Sequence, residues 1–269
     1  SAASFCFGAN VDLNFLSLVE EGINISIIQE GAERLDKKIS AYHKYVDSRD
    51  IKTITDLQSY MIVKERLIGA KEYVDVVLNE ISKNETDENV AYYNMAYAEE
   101  RYHSAELWST FFGKKGKKFD INEDTLADSC VRKISETQER LEYVKFIFPI
   151  PTSQIDENIE RAFKNYADGD YALCLFKATK TKAEIDSVLD ALAFSESNMG
   201  ELLDDKLDVI ENIIAGQHDR GMFPHLGYSY FEYASLLKEE DTGSALLYSE
   251  YALEMSRLDM YFGNNGERS

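Results

Sequence analysis

Proline occurs only 3 times in the 269 residues, and two of the three stand at positions 149 and 151. Elsewhere, apart from Pro224, the backbone keeps every amide donor, and only 14 glycines are scattered along it. Such a chain has few points at which a helix must stop. Hydrophobic residues recur at three- and four-residue spacing through most of its length, the pattern of helices with one buried stripe. The expectation is an all-α protein of about ten helices, folded as antiparallel helical hairpins.

The stripes place those helices one by one. The first runs through Leu18 and is interrupted at Gly22, and a second spans about Ile27 to Tyr45. Between them Ile23, Ile25 and Ile27 alternate with polar residues, which is read as a helix–helix joint, since no second strand is available to pair with it. A third helix follows Thr55 as its N-cap and carries Leu57, Met61, Leu67, Val74, Leu78 and Ile81. Thr86 is expected to cap a fourth that reaches about Phe112. After a polar loop from Gly113 to Asp120, a fifth carries Leu126, Cys130, Ile134, Leu141, Val144 and Ile147. Further helices are expected near 155–167, 170–194, 199–215, 225–238 and 242–262, with short turns at Gly169-Asp170 and Thr242-Gly243.

Pro149-Ile150-Pro151-Thr152-Ser153 is the strongest break, because two prolines in three residues cannot continue a helix. A boundary is expected there, between a long-helix bundle at 1–148 and a second subdomain at 152–269. In the second part, Tyr166-Ala167-Asp168-Gly169-Asp170-Tyr171-Ala172 resembles the turn of a tetratricopeptide-type hairpin. Gly227, Tyr230, Tyr233, Ala234, Ala245, Tyr248 and Ala252 follow the same code, in which a small residue on one helix admits an aromatic from its partner. The expectation is a tetratricopeptide-like right-handed array, irregular because Cys174 stands where the repeat has Ala. The seven-residue spacing of Ala245 and Ala252 recurs at Ala2 and Ala9. The opening residues are therefore expected to belong to the second helix of a hairpin, in a piece of a longer chain.

Charge narrows the partners. Lys and Arg number 29 against 49 Asp and Glu, a net charge of -20. Such a surface repels phosphate backbones and anionic bilayers, so nucleic acid is not an expected partner. No stretch approaches the ~20 apolar residues of a membrane span, and no direct membrane insertion is expected. Lys114-Lys115-Gly116-Lys117-Lys118 is the one basic run. It reads as a solvated loop that complements the preceding helix C-terminus, with docking of an acidic partner or of lipid headgroups as the alternative.

Few constellations carry chemistry. Glu100 and His103 form a Glu-x-x-His pair on one helix face, half of the ligand set of a di-iron bundle. No other histidine has a glutamate three residues before it, so an ion pair on a charged helix is the simpler reading. His218, Asp219 and His225 flank one helix junction, where a metal or an acid–base pair would find ligands; capping and turn roles account for the same residues. Cys6, Cys130 and Cys174 are odd in number and widely spaced, and are expected to be buried small hydrophobes without a disulfide. No nucleophile elbow and no phosphate-cradling glycine loop occur. Asn24-Ile25-Ser26 and Asn84-Glu85-Thr86 fit the glycosylation acceptor pattern, which matters only outside the cell. No cofactor is expected, and the expected partner is a protein or peptide, with self-association as one form of it.

Four segments also resemble a known family. They are Ser1-Ala2-Ala3-Ser4-Phe5-Cys6-Phe7-Gly8-Ala9-Asn10, Gly169-Asp170-Tyr171-Ala172, Gly227-Tyr228-Ser229-Tyr230-Phe231-Glu232-Tyr233-Ala234 and Ser244-Ala245-Leu246-Leu247-Tyr248-Ser249-Glu250-Tyr251-Ala252-Leu253-Glu254. Together they are similar to the helical region of archaeal Lon-like serine proteases. In that family a protease domain with a Ser-Lys dyad precedes a long helical region, and the whole protein is usually membrane-associated. The resemblance implies that catalysis resides upstream of residue 1 and that this chain positions substrate, partners or subunits. No position here matches the dyad.

Overall fold

The computed structural model describes residues 2–83, 87–148, 151–193 and 196–263. The described chain is all-α, with ten helices and no strand. In order these are α1 Ala2–Glu20, α2 Ile25–Asp47, α3 Ile54–Ser82, α4 Glu88–Ser109 and α5 Glu123–Ile147. They continue as α6 Ser153–Ala167, α7 Tyr171–Ala193, α8 Glu196–Asp219, α9 His225–Leu237 and α10 Thr242–Ser256. A 3-10 turn, Leu258–Tyr261, closes the described chain, so the helix expected over 242–262 ends six residues early.

Local chemistry sets the ends. The joint at Ile23–Ile27 is shorter than expected, because the Asn24 side chain accepts the Ser26 amide at 2.9 Å and starts α2 at Ile25. Thr55 does not cap α3. Thr53 does, in a reciprocal box: its hydroxyl accepts the Asp56 amide at 3.0 Å, while the Asp56 carboxylate accepts the Thr53 amide at 3.2 Å. Thr55 is left to donate its hydroxyl to the Phe223 carbonyl at 2.8 Å. Thr86 lies outside the described residues, and Asp87 caps α4 by accepting the Asn89 amide. Asn122 and Thr125 form a full capping box on α5. At the end of α6, Gly169 takes a φ of 78°, and the Asp170 amide returns to the Asn165 carbonyl at 2.8 Å. That is the left-handed helix stop that only glycine adopts without strain.

The chain divides into two compact units, residues 1–50 with 59–112 and residues 51–58 with 113–269. The expected boundary at 149–153 falls inside the second unit. Pro149 and Ile150 lie outside the described residues, but α5 and α6, on either side of them, belong to one core. Leu141 and Val144 of α5 pack with Ile159 of α6 and with Ile185 and Leu189 of α7. A proline pair breaks a helix without breaking the burial on either side of it.

In the first unit the core is built from α2, α3 and α4. Ala32, Ile39, Met61, Val63, Leu67, Val74, Ala91, Ala96 and Ala98 are at most 1% exposed. Four of the seven buried residues of α4 are alanines, and the small side chain lets its neighbours close in. In the second unit, residues 51–58 are threaded into the core of the later helices. Gln58 is fully buried; its amide donates to the Met255 carbonyl at 2.7 Å and its oxygen accepts the Leu226 amide at 2.9 Å. The Lys52 carbonyl accepts the Phe119 amide, and Asp56 accepts the Gly113 amide, both at 2.8 Å. Cys130 and Cys174 are disulfide-bonded and cross-link α5 to α7, while Cys6 is exposed. Cys130 and Cys174 are buried as expected but are linked to one another, since helix packing brings side chains 44 residues apart together, and the expectation of burial is corrected only for Cys6.

Candidate functional site

In the first unit a cleft of about 430 Å³ lies between α1, α2 and α4 and is lined largely by charged residues. Two helix faces build it. On α2, Arg34 and Lys38 lie four residues apart, one turn above the other. On α4, Glu99, Glu100, Tyr102, His103 and Glu106 line the opposite wall. Gly31 belongs to the lining, and a Cβ placed there would meet the Met95 methyl at 3.3 Å and the Arg34 guanidinium at 3.8 Å. A larger residue at position 31 would take up space that the cleft now has.

Each acidic group has a different environment. The Glu100 carboxylate accepts the Asn14 amide at 2.8 Å and the Asn10 amide at 3.3 Å, which ties α1 to α4. Glu106 faces the His103 Nδ1 at 3.3 Å. Burial and the adjacent Glu106 push the Tyr102 hydroxyl up to about 12. Glu99 has no hydrogen bond or ion pair among the described residues. Burial and then the neighbouring Glu100 push its carboxyl above the ordinary range, against Lys38 and Arg34.

The Glu100 and His103 side chains have different partners. Glu100 is turned to the α1 amides and His103 to Glu106, so the two side chains do not converge on a shared point. The second candidate set is also separated. His225 opens α9 and is 2% exposed, whereas His218 and Asp219 lie exposed at the end of α8. Burial holds the His225 imidazole down to about 3, opposed by the Asp56 carboxylate. Among the described residues no group of three or more His, Cys, Asp or Glu is placed to hold a metal ion.

Sequence reasoning missed a buried ionic chain in the second unit. Glu254 of α10 receives Lys133 of α5 at 2.8 Å and Lys182 of α7 at 2.7 Å. Lys182 also reaches Asp186 at 2.8 Å, and Arg140 pairs with the same Asp186. Burial pushes the Glu254 carboxyl up, and the two lysines more than reverse it, leaving it below the ordinary range. Beside this chain, Lys206 of α8 bridges Asp190 at 2.7 Å and pairs with Glu250. Burial lifts Glu250 to about 7, although Lys206 opposes it. The available signal was spacing: Glu250 stands four residues after the core residue Leu246, on the apolar stripe of α10.

The basic run is a fixed loop. All four lysines from 114 to 118 are exposed, and the Lys117 amide donates to the Gly221 carbonyl at 2.7 Å. Asn24, in the first glycosylation pattern, is exposed beside the α2 cap; the second pattern lies outside the described residues. No helix among the described residues is long and apolar enough to cross a membrane. No known family, curated protein or solved structure matches this chain.

Proposed function

We propose that this chain is a non-catalytic helical scaffold that holds a protein or peptide, as the accessory region of an archaeal Lon-like serine protease. The observation that carries the reading is the close approach of α9 and α10. A Cβ on Gly227 of α9 would stand 2.9 Å from the Ser256 amide nitrogen and 3.2 Å from the Ala252 carbonyl of α10. Around that approach Tyr233 and Tyr248 stack at 5.1 Å, and Tyr230 meets Tyr251 at 5.2 Å. Small residues where helices touch, with aromatics around them, are what scaffolds of stacked hairpins use to expose a continuous surface. The four segments similar to the protease family add the expected parent. Membrane association is then a property of the parent, since this chain's charge of -20 disfavours an anionic bilayer.

The gene itself is the test. An open reading frame that encodes a Ser-Lys protease domain upstream of Ser1 is the expected result. A reading frame without such a domain removes the protease half of the proposal and leaves the scaffold half to binding experiments.

A further inference from the structure

The cleft between α1, α2 and α4 divides its charges by wall, and this division specifies a ligand. Cations stand on the α2 side, at Arg34 and Lys38, and acids on the α4 side. Glu100 and Glu106 are already engaged, by the two asparagine amides and by His103. Glu99 and Lys38 are engaged by no hydrogen bond or ion pair among the described residues, and both remain reachable from solvent. An exposed carboxylate without a protein donor gains a charge-assisted contact when a ligand cation is held beside it by the walls of the cleft. The volume of about 430 Å³ suits a few residues of peptide.

We propose that this cleft binds a primary ammonium group carried by a peptide, with the Glu99 carboxylate as its counter-ion. Arg34 and Lys38 on the facing wall take the peptide carbonyl or carboxylate next to that amine. The net charge of -20 draws cationic groups toward the surface, and the two α2 cations then orient them. Gly31 keeps the floor open. The inference rests on reading this chain as a peptide-holding scaffold and names the chemistry of what one face of it holds. The amine is either a peptide N-terminus or a lysine side chain, which share this chemistry.

The experiment titrates the full chain at neutral pH with three probes, followed by NMR shifts or calorimetry. The probes are trialanine, N-acetyl-trialanine and Nα-acetyl-lysine amide. At least one of the two free-amine probes is expected to bind, the tighter of them naming the source. N-acetylation or Glu99→Gln is expected to weaken binding about tenfold or more, the loss of one charge-assisted contact. Gly31→Val is expected to block it by filling the floor. If Gly31→Val does not fold, Glu99→Gln still decides, because Gln keeps the shape of an exposed side chain. Equal binding of acetylated and free trialanine, no binding of either amine at millimolar concentration, or an unaffected Glu99→Gln variant would overturn the proposal. Such a failure leaves the scaffold reading to its own test, since a Ser-Lys domain in the same reading frame is scored independently of this cleft.

Discussion

Single side chains decide how residues 51–58 join the second unit. Gln58 satisfies two buried backbone groups at once, 168 and 197 residues away in sequence. Gln58→Leu keeps the volume and leaves both groups unpaired, so the unfolding free energy in urea is expected to fall by about 2 to 4 kcal/mol. Gly227→Ala pushes a methyl against the α10 backbone and is expected to cost about 1 to 3 kcal/mol in the same measurement. His225 supplies a pH dependence. Its folded pKa is held down to about 3, from an ordinary 6.5. Below 6.5 the unfolded chain therefore takes up a proton that the folded chain refuses, and stability is lost as pH falls toward 3; above 6.5 the contribution vanishes. Between pH 7 and pH 5 the loss from this residue is about 2 kcal/mol, and His225→Gln is expected to remove that share of the slope. Glu250 acts in the opposite sense. Its carboxyl is raised to about 7, so its contribution is present at low pH and is lost as pH rises through 7. Only a comparison of each variant with the parent chain separates the two.

Among the elements, α5 and α7 are joined in two ways. The Cys130–Cys174 bond closes a separation of 44 residues, and its removal by Cys174→Ala is expected to cost about 3 to 4 kcal/mol. A thiol titration of the unfolded, unreduced chain is expected to find one free cysteine, Cys6. The Glu254 carboxylate draws the same two helices onto α10. Glu254→Leu leaves Lys133 with Glu136 and Lys182 with Asp186 as their remaining carboxylates, and a loss of about 2 to 3 kcal/mol is expected from the charged hydrogen bonds removed. Much of the element level was legible in the sequence. Stripe spacing placed the helices, since burial on one face imposes its period wherever proline is absent. The Gly169 turn was readable because only glycine fits a φ of 78° cheaply. The α3 cap was misplaced by two residues, because three threonines and serines nearby offer a hydroxyl and only Thr53 has an acid three residues later. Lys133 and the two bonded cysteines were not legible, and for Glu250 the spacing from Leu246 was the one signal. Their partners come from helices far away in sequence, and a buried lysine is spelled like a solvated one.

At the scale of the whole chain, the division into units ran against the strongest local signal. Residues 113–148 belong with the later helices, because Leu141 and Val144 share a core with Ile159, Ile185 and Leu189. Local breaks report where helices end, and only tertiary burial reports which helices belong together. The site was less legible than the fold. Glu100 and His103 share a helix face by their spacing, but spacing does not say where each side chain turns, one to the α1 amides and the other to Glu106. Arg34, Lys38 and Glu99 were unremarkable until α2 and α4 stood opposite one another. The proposed role is that this chain positions other molecules and performs no reaction of its own. Its most direct test is hydrolysis of casein and of fluorogenic peptides by the purified chain. The account predicts no cleavage above the buffer control. Cleavage that co-purifies with the chain and disappears on a single substitution within it would contradict the account.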